Sequence, residues 1–206
     1  MRAFVLPSES PEFDYGVLMD RLKGYRRPRD KVSELLRRGE IVRIKKGIYV
    51  LGARHGRDVS LPVLANMIYG PSYVSRQYAL AHHQLVPERV YEITSMTPTR
   101  DKEFSTPLGV FSYQRAPSGL YAVGVTRVAL DERRGFLMAT PEKAIADLIY
   151  RERVESLEAL EELLTEGLRI EPGDLKALRL GLLSRIERCY QSRPLELLTG
   201  LVRRMK

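Results

Sequence analysis

Ile41-Val-Arg-Ile-Lys-Lys-Gly-Ile-Tyr-Val-Leu51 constrains the fold more than any other stretch of the chain. It reads as a tight hairpin. Strand alternation puts Val42 and Ile44 on one face and Ile41, Arg43 and Lys45 on the other. Gly47 supplies the positive φ that a tight turn demands. A helix is expected just before it, from Pro28 to about Arg38, ending at Gly39. Val32, Leu35 and Leu36 form its core face at i, i+3, i+4 spacing. The surrounding charge is lopsided. Residues Arg21 to Arg57 hold 13 Lys/Arg against three acids, Asp30, Glu34 and Glu40, whereas residues 58–206 hold 20 basic and 19 acidic side chains. The chain's net charge of +8 is therefore the property of one N-terminal segment.

The rest of the chain divides around that segment. Ser10-Pro11 has the form of a helix start, with Val17, Leu18 and Leu22 as an apolar stripe that stops at Gly24. Gly52 to Arg57 is polar and reads as a linker, separating an N-terminal domain, residues 1–52, from a second, 58–206. Helices are predicted over about Ser60–Tyr69 and Ser75–Gln84. Candidate strands follow at Val90–Met96, with Tyr91 and Ile93 sharing a face, and at Gly109–Arg115, Tyr121–Val125 and Phe136–Ala139. Thr140-Pro141-Glu142-Lys143 opens a helix whose inward residues are Ile145, Leu148 and Ile149. From Leu157 to Lys206 the pattern is helical. The expected fold class is α+β: an N-terminal winged helix-turn-helix, then a mixed α/β domain with a helical C-terminal part. With 44% hydrophobic and 29% charged residues the composition is that of a globular protein. No apolar run reaches bilayer-spanning length. The apolar core of Met1–Ser8 is too short for a secretory signal. One cysteine, Cys189, rules out an intrachain disulfide, and a cytoplasmic location is the expectation.

A helix, a hairpin and a local positive field are what a winged helix needs to hold duplex DNA. Its second helix would lie in the major groove, N-terminal residues toward the base edges. Base contacts are expected from Arg27, Arg29, Lys31 and Ser33, and Arg26 lies at the same end; Arg pairs bidentately with guanine and with phosphate. Arg43, Lys45 and Lys46 are expected on phosphate, and Arg37 lies on the same outward helix face. Asp30 and Glu34 share that face, and two acids there oppose phosphate. The bland counterpart is a solvated charged surface that binds nothing. No aromatic platform of the kind that stacks RNA bases is visible.

Five segments resemble, in order, the AbiEi family of antitoxins and transcriptional regulators of bacterial type IV toxin–antitoxin systems. They are Leu35-Leu-Arg-Arg-Gly-Glu-Ile-Val-Arg-Ile-Lys-Lys-Gly-Ile-Tyr49, Tyr73-Val-Ser-Arg-Gln-Tyr-Ala-Leu-Ala-His-His-Gln-Leu-Val-Pro-Glu88, Thr94-Ser-Met-Thr97, Gly109-Val-Phe-Ser-Tyr113 and Ala139-Thr-Pro-Glu-Lys-Ala-Ile-Ala-Asp-Leu-Ile-Tyr150. The resemblance implies a winged helix that binds and represses its own promoter. It also implies a second domain that counteracts a nucleotidyltransferase-like toxin without a stable complex. Some members of the family are regulators only. Within the second domain, Tyr73, Tyr78, Ala79 and Leu80 read as residues packing a helix on a sheet. Glu142 suits a helix N-terminus, or Glu142 and Lys143 are exposed functional groups.

An enzyme is the rival class. Adjacent His82 and His83 cannot both face one site from a helix, His55 lies in the linker, and Ser75 and His82 are too far apart for a nucleophile–base bond on one helix. No metal-ligand spacing, P-loop or dinucleotide glycine pattern appears, so no catalytic residue, metal or cofactor is expected. Glu152–Glu166 reads as an amphipathic helix with a solvated acidic face, and Cys189 as a small core residue. A protein-interaction module is a third class. Leu175, Leu178, Leu182 and Ile186 form a continuous stripe that is core or a dimer contact; monomer and homodimer both remain open.

Overall fold

The computed structural model describes residues 10–56, 58–117 and 121–206. Three antiparallel strands, β1 (Glu12–Asp14), β2 (Ile41–Lys45) and β3 (Ile48–Leu51), form a sheet of order β1-β3-β2. Helices α1 (Tyr15–Leu22) and α2 (Pro28–Arg37) lie between β1 and β2. No helix starts at Ser10-Pro11; the residues just after them form strand β1 instead. Glu12, Phe13 and Asp14 pair with Val50, Tyr49 and Ile48, and Phe13 stacks on Tyr49 at 6.3 Å. That remote pairing outweighs the local cap signal, and the cap moves to Asp14, whose Oδ1 accepts from Val17 N at 2.8 Å. Val17 is consequently 43% exposed, while Leu18 and Leu22 are buried. The second helix follows expectation, with Val32 and Leu35 buried and Gly39 at positive φ beyond its end.

The small sheet is covered on both faces. Tyr49 and Leu51 point with Phe13, Ile41, Leu18, Leu22, Val32 and Leu35 into a core beneath the two helices. Ile44 and Val50 belong to the larger core of the following elements, and Val42 and Ile48 pack against it. At about 1.5–3 kcal/mol per fully buried aliphatic side chain, cutting the chain near residue 57 would destabilise the hairpin. The segment read as a linker is closely packed. Gly52 is buried, and a Cβ there would fall 1.9 Å from the Gly39 carbonyl oxygen, so only glycine fits. A 3₁₀ turn, Ala53–His55, follows, with His55 Nε2 3.1 Å from the Glu40 carboxylate; Arg57 lies outside the described residues. Glu12, 3% exposed, ties the two parts together: its carboxylate accepts from Ser10 Oγ at 2.6 Å and Ser60 N at 2.5 Å and lies 3.6 Å from Arg134.

The second part begins with α3 (Leu61–Ile68), capped by Ser60, then β4 (Tyr73–Val74), α4 (Arg76–His82), β5 (Ile93–Thr97), β6 (Lys102–Thr106), β7 (Gly109–Arg115), β8 (Val125–Ala129) and β9 (Gly135–Ala139). The sheet order is β6-β7-β5-β4-β9-β8, with β5–β7 and β4–β9 parallel and the other neighbours antiparallel. Helix α5 (Pro141–Ile149) precedes a helical C-terminal part: α6 (Leu157–Glu162), a π-helical turn (Leu163–Gly167), α7 (Pro172–Ala177), α8 (Leu180–Tyr190) and α9 (Arg193–Met205). The mixed α+β class is as expected. The strand expected at 121–125 is displaced, since residues 121–124 form a turn and pairing with β9 selects 125–129. Tyr91 does not share a buried face with Ile93; it precedes the strand and is 76% exposed, beneath the Arg89 guanidinium. Leu183 rather than Leu182 completes the buried stripe of α8. Among the described residues no helix is long and apolar enough to cross a membrane.

Candidate nucleic-acid interface

Residues 23–27 turn the chain between α1 and α2, closed by a Tyr25 N–H donating to the Leu22 carbonyl at 2.9 Å. Pro28 starts α2 with its fixed φ, so Arg26 and Arg27 stand just before the helix and Arg29 on its first turn, all exposed. The core face of α2 is taken up by Val32 and Leu35. Arg29, Ser33 and Arg37, spaced i, i+4, i+8, form one exposed stripe. Ser33 Oγ donates back to the Arg29 carbonyl at 3.4 Å.

The acids of this helix lie on the neighbouring row, each already faced by a cation. Asp30 is 3.6 Å from Arg27; Glu34 is 3.0 Å from Lys31 and 2.8 Å from Arg38. The hydrogen bond from Lys31 is the main cause holding the Glu34 carboxyl below its ordinary range. Lys31, expected at the base edges, is turned toward its own helix and the preceding loop. Its side chain is only 15% exposed, tied to Glu34 with its ammonium 5.5 Å from the Tyr25 ring centroid. The Arg27–Asp30 pair is mostly solvated and worth little, so Arg27 remains exchangeable.

The hairpin alternates as expected only to Ile44. Arg43 pairs with Tyr49, but Lys45 pairs with Ile48, so a bulge at Ile44 inserts one residue. Tyr49 and Ile48 occupy opposite faces of β3, and Lys45 therefore leaves Arg43's face. Its ammonium donates to the Ile68 carbonyl at 2.5 Å and lies 4.7 Å from the Phe104 ring centroid, and burial then lowers its pKa. Lys45, expected on phosphate beside Arg43, is thus turned by the bulge onto the opposite face of the hairpin. Arg43 and Lys46 stay exposed, and Gly47 closes the turn at φ +91°. The Gly47 carbonyl accepts from Tyr15 N at 2.8 Å, which fastens the turn to the start of α1. Arg26, Arg29, Arg37, Arg43 and Lys46 have no ion pair among the described residues.

A second polar constellation is not legible in the sequence. Lys143 and Asp147, one helical turn apart on α5, are both 0% exposed, with 3.5 Å between Nζ and Oδ1. Asp147 accepts from Ser75 Oγ at 2.6 Å and from the Tyr190 hydroxyl, which in turn accepts from Lys143 at 2.5 Å. Burial pushes the Lys143 ammonium down and the Tyr190 and Tyr73 hydroxyls up. Glu142 is 2% exposed and holds Arg179 by its backbone N–H at 2.8 Å and its Nε at 3.0 Å. Glu142 and Lys143 are therefore not exposed functional groups; they join α5 to α8. Only the i, i+4 spacing of Lys143 and Asp147 hints at this, because Ser75 and Tyr190 lie far away in the chain.

His82 ends α4 and His83 caps it, with their rings edge-to-face at 5.6 Å between centroids. His83 Nε2 donates to the Ala139 carbonyl at 2.8 Å, and His82 packs edge-on against Phe136 and is pushed to lower pKa by burial. His82 lines an open cleft of about 650 Å³ with Leu85, Glu88, Arg169, Glu171 and Asp174, in which Arg169 and Glu88 pair with each other. Among the described residues no three His, Cys, Asp or Glu side chains gather as metal ligands. No protein-family model matches the chain, and no curated protein does.

Proposed function

We propose that this chain is a DNA-binding transcriptional regulator in which residues 12–51 act as a winged helix. The element order β1–α1–α2–β2–β3 and the sheet order β1-β3-β2 support that architecture. In it α2 is the helix presented to the major groove and the β2–β3 turn is the wing. The observation that carries the proposal is the acid-free stripe Arg29–Ser33–Arg37, accompanied by Arg26, Arg43 and Lys46 as cations without an ion pair among the described residues. The acids that opposed this reading are matched by Arg27 and Arg38 at the ends of the helix and by Lys31 within it, so they neither bind nor strongly repel a backbone. In this reading Arg29 and Ser33 meet base edges, and Arg37, Arg43 and Lys46 meet phosphate.

The order of the five segments that resemble the AbiEi family supports a self-repressing antitoxin, with the second part of the chain counteracting a nucleotidyltransferase-like toxin. Titration of the full chain onto duplex DNA from upstream of its own gene tests the DNA step: affinity falls steeply with salt, log K declining by about 0.9 per phosphate neutralised. Salt-independent binding, or none, refutes it. Co-expression with the adjacent gene tests the antitoxin step. Growth arrest by that gene, relieved by this chain, is the expected outcome; arrest that persists leaves a regulator without antitoxin activity.

A further inference from the structure

We infer that Lys45 is a positioning residue for DNA binding: it fixes the wing to the second sheet so that Arg43 and Lys46 meet DNA from a hairpin already set at its angle. This rests on the DNA-binding proposal above. The bulge at Ile44 is what turns Lys45 away from Arg43's face, onto the side of Val42, Ile44 and Ile48 that packs on the larger core. There its ammonium meets the carbonyl of Ile68, the last residue of α3, where the helix leaves carbonyls without internal partners. Phe104 of β6 lies beneath the ammonium and is itself held by Tyr69 and Tyr113, at 5.9 and 5.8 Å between ring centroids. The opposite side of the turn is held by Tyr15 N on the Gly47 carbonyl. Lys46 therefore projects from a loop anchored on both sides, and no ordering of that loop is needed when DNA arrives.

The test is Phe104→Leu, which alters no charge, beside Lys45→Met, both in the full chain and both checked for cooperative thermal unfolding. DNA affinity is expected to fall roughly 3- to 10-fold in each. The slope of log K against log salt stays at the wild-type value, since the phosphate contacts still form. The double variant binds no more weakly than Lys45→Met alone, because both changes release the same clamp. Three outcomes overturn the inference: a Lys45→Met slope smaller by about 0.9, which would make Lys45 a phosphate ligand, wild-type affinity in Phe104→Leu, or additive losses in the double variant. Absence of salt-dependent binding by the wild-type chain would instead overturn the DNA-binding proposal itself.

Discussion

The surface of α2 and the interior of α5 employ the same kinds of side chain to different effect. At the start of α2, Arg27 and Asp30 pair at i, i+3 at 3.6 Å with side chains 79% and 71% exposed; on α5, Lys143 and Asp147 pair at i, i+4 with no exposure at all. The first arrangement is easy to rearrange, because water takes over whatever the partner releases. The second is fixed, because each buried charge depends on the other and on Ser75 and Tyr190. Charges that meet a ligand must be of the first kind. Charges of the second kind hold helices in place, and their chemistry, however suggestive of an active site, is satisfied internally.

The largest effect that would break this contrast is on stability. Lys143→Met leaves Asp147 buried without its cation and is expected to cost about 3–5 kcal/mol in urea unfolding. Lys143→Met with Asp147→Asn should recover part of that loss, since Asn still accepts from Ser75. A cost below about 1 kcal/mol would mean that the buried pair does not hold α5 in place. Next in size is Arg29→Ala with Arg37→Ala. Stability should stay within about 0.5 kcal/mol, while DNA affinity falls more than tenfold and the salt slope shrinks by up to about 0.9 for each phosphate no longer neutralised. Smaller again is Arg43→Ala with Lys46→Ala, which should weaken all duplex sequences about equally; a changed sequence preference would assign base reading to the wing. The smallest is Glu34→Gln. It releases Lys31 and Arg38, so DNA binding should tighten a few-fold at low salt and the gain should vanish at high salt, where exposed charges are screened.

The N-terminal part is legible where its signals are local. Pro28, the Val32–Leu35 spacing and Gly39 delimit α2, and Gly47 marks the turn, all from neighbours within a few residues. What the sequence conceals depends on distant partners. Ser10-Pro11 has the form of a cap, yet β1 forms because Phe13 and Glu12 find Tyr49, Val50 and Ser60. Strand β6, Lys102-Glu-Phe-Ser-Thr106, is a mostly polar edge strand without a buried alternation, and its register with β7 is set by pairing alone. The bulge at Ile44 leaves no mark in a run of alternating residues, so alternation alone puts Lys45 on Arg43's face. For the candidate interface, Arg26, Arg29, Ser33, Arg37, Arg43 and Lys46 stand exposed on the helix and turn that the sequence suggests. Lys31 and Lys45 do not, because Tyr25 with Glu34 and Phe104 with Ile68 claim them.

The most direct measurement is an anisotropy titration of the full chain on duplex DNA from upstream of its gene, repeated across a salt series with Arg29→Ala/Arg37→Ala in parallel. A steep linear decline of log K with log salt, made shallower by the double variant at unchanged stability, is the predicted result. Binding that ignores salt, or a slope that the double variant leaves unaltered, would contradict the assignment of this face to DNA.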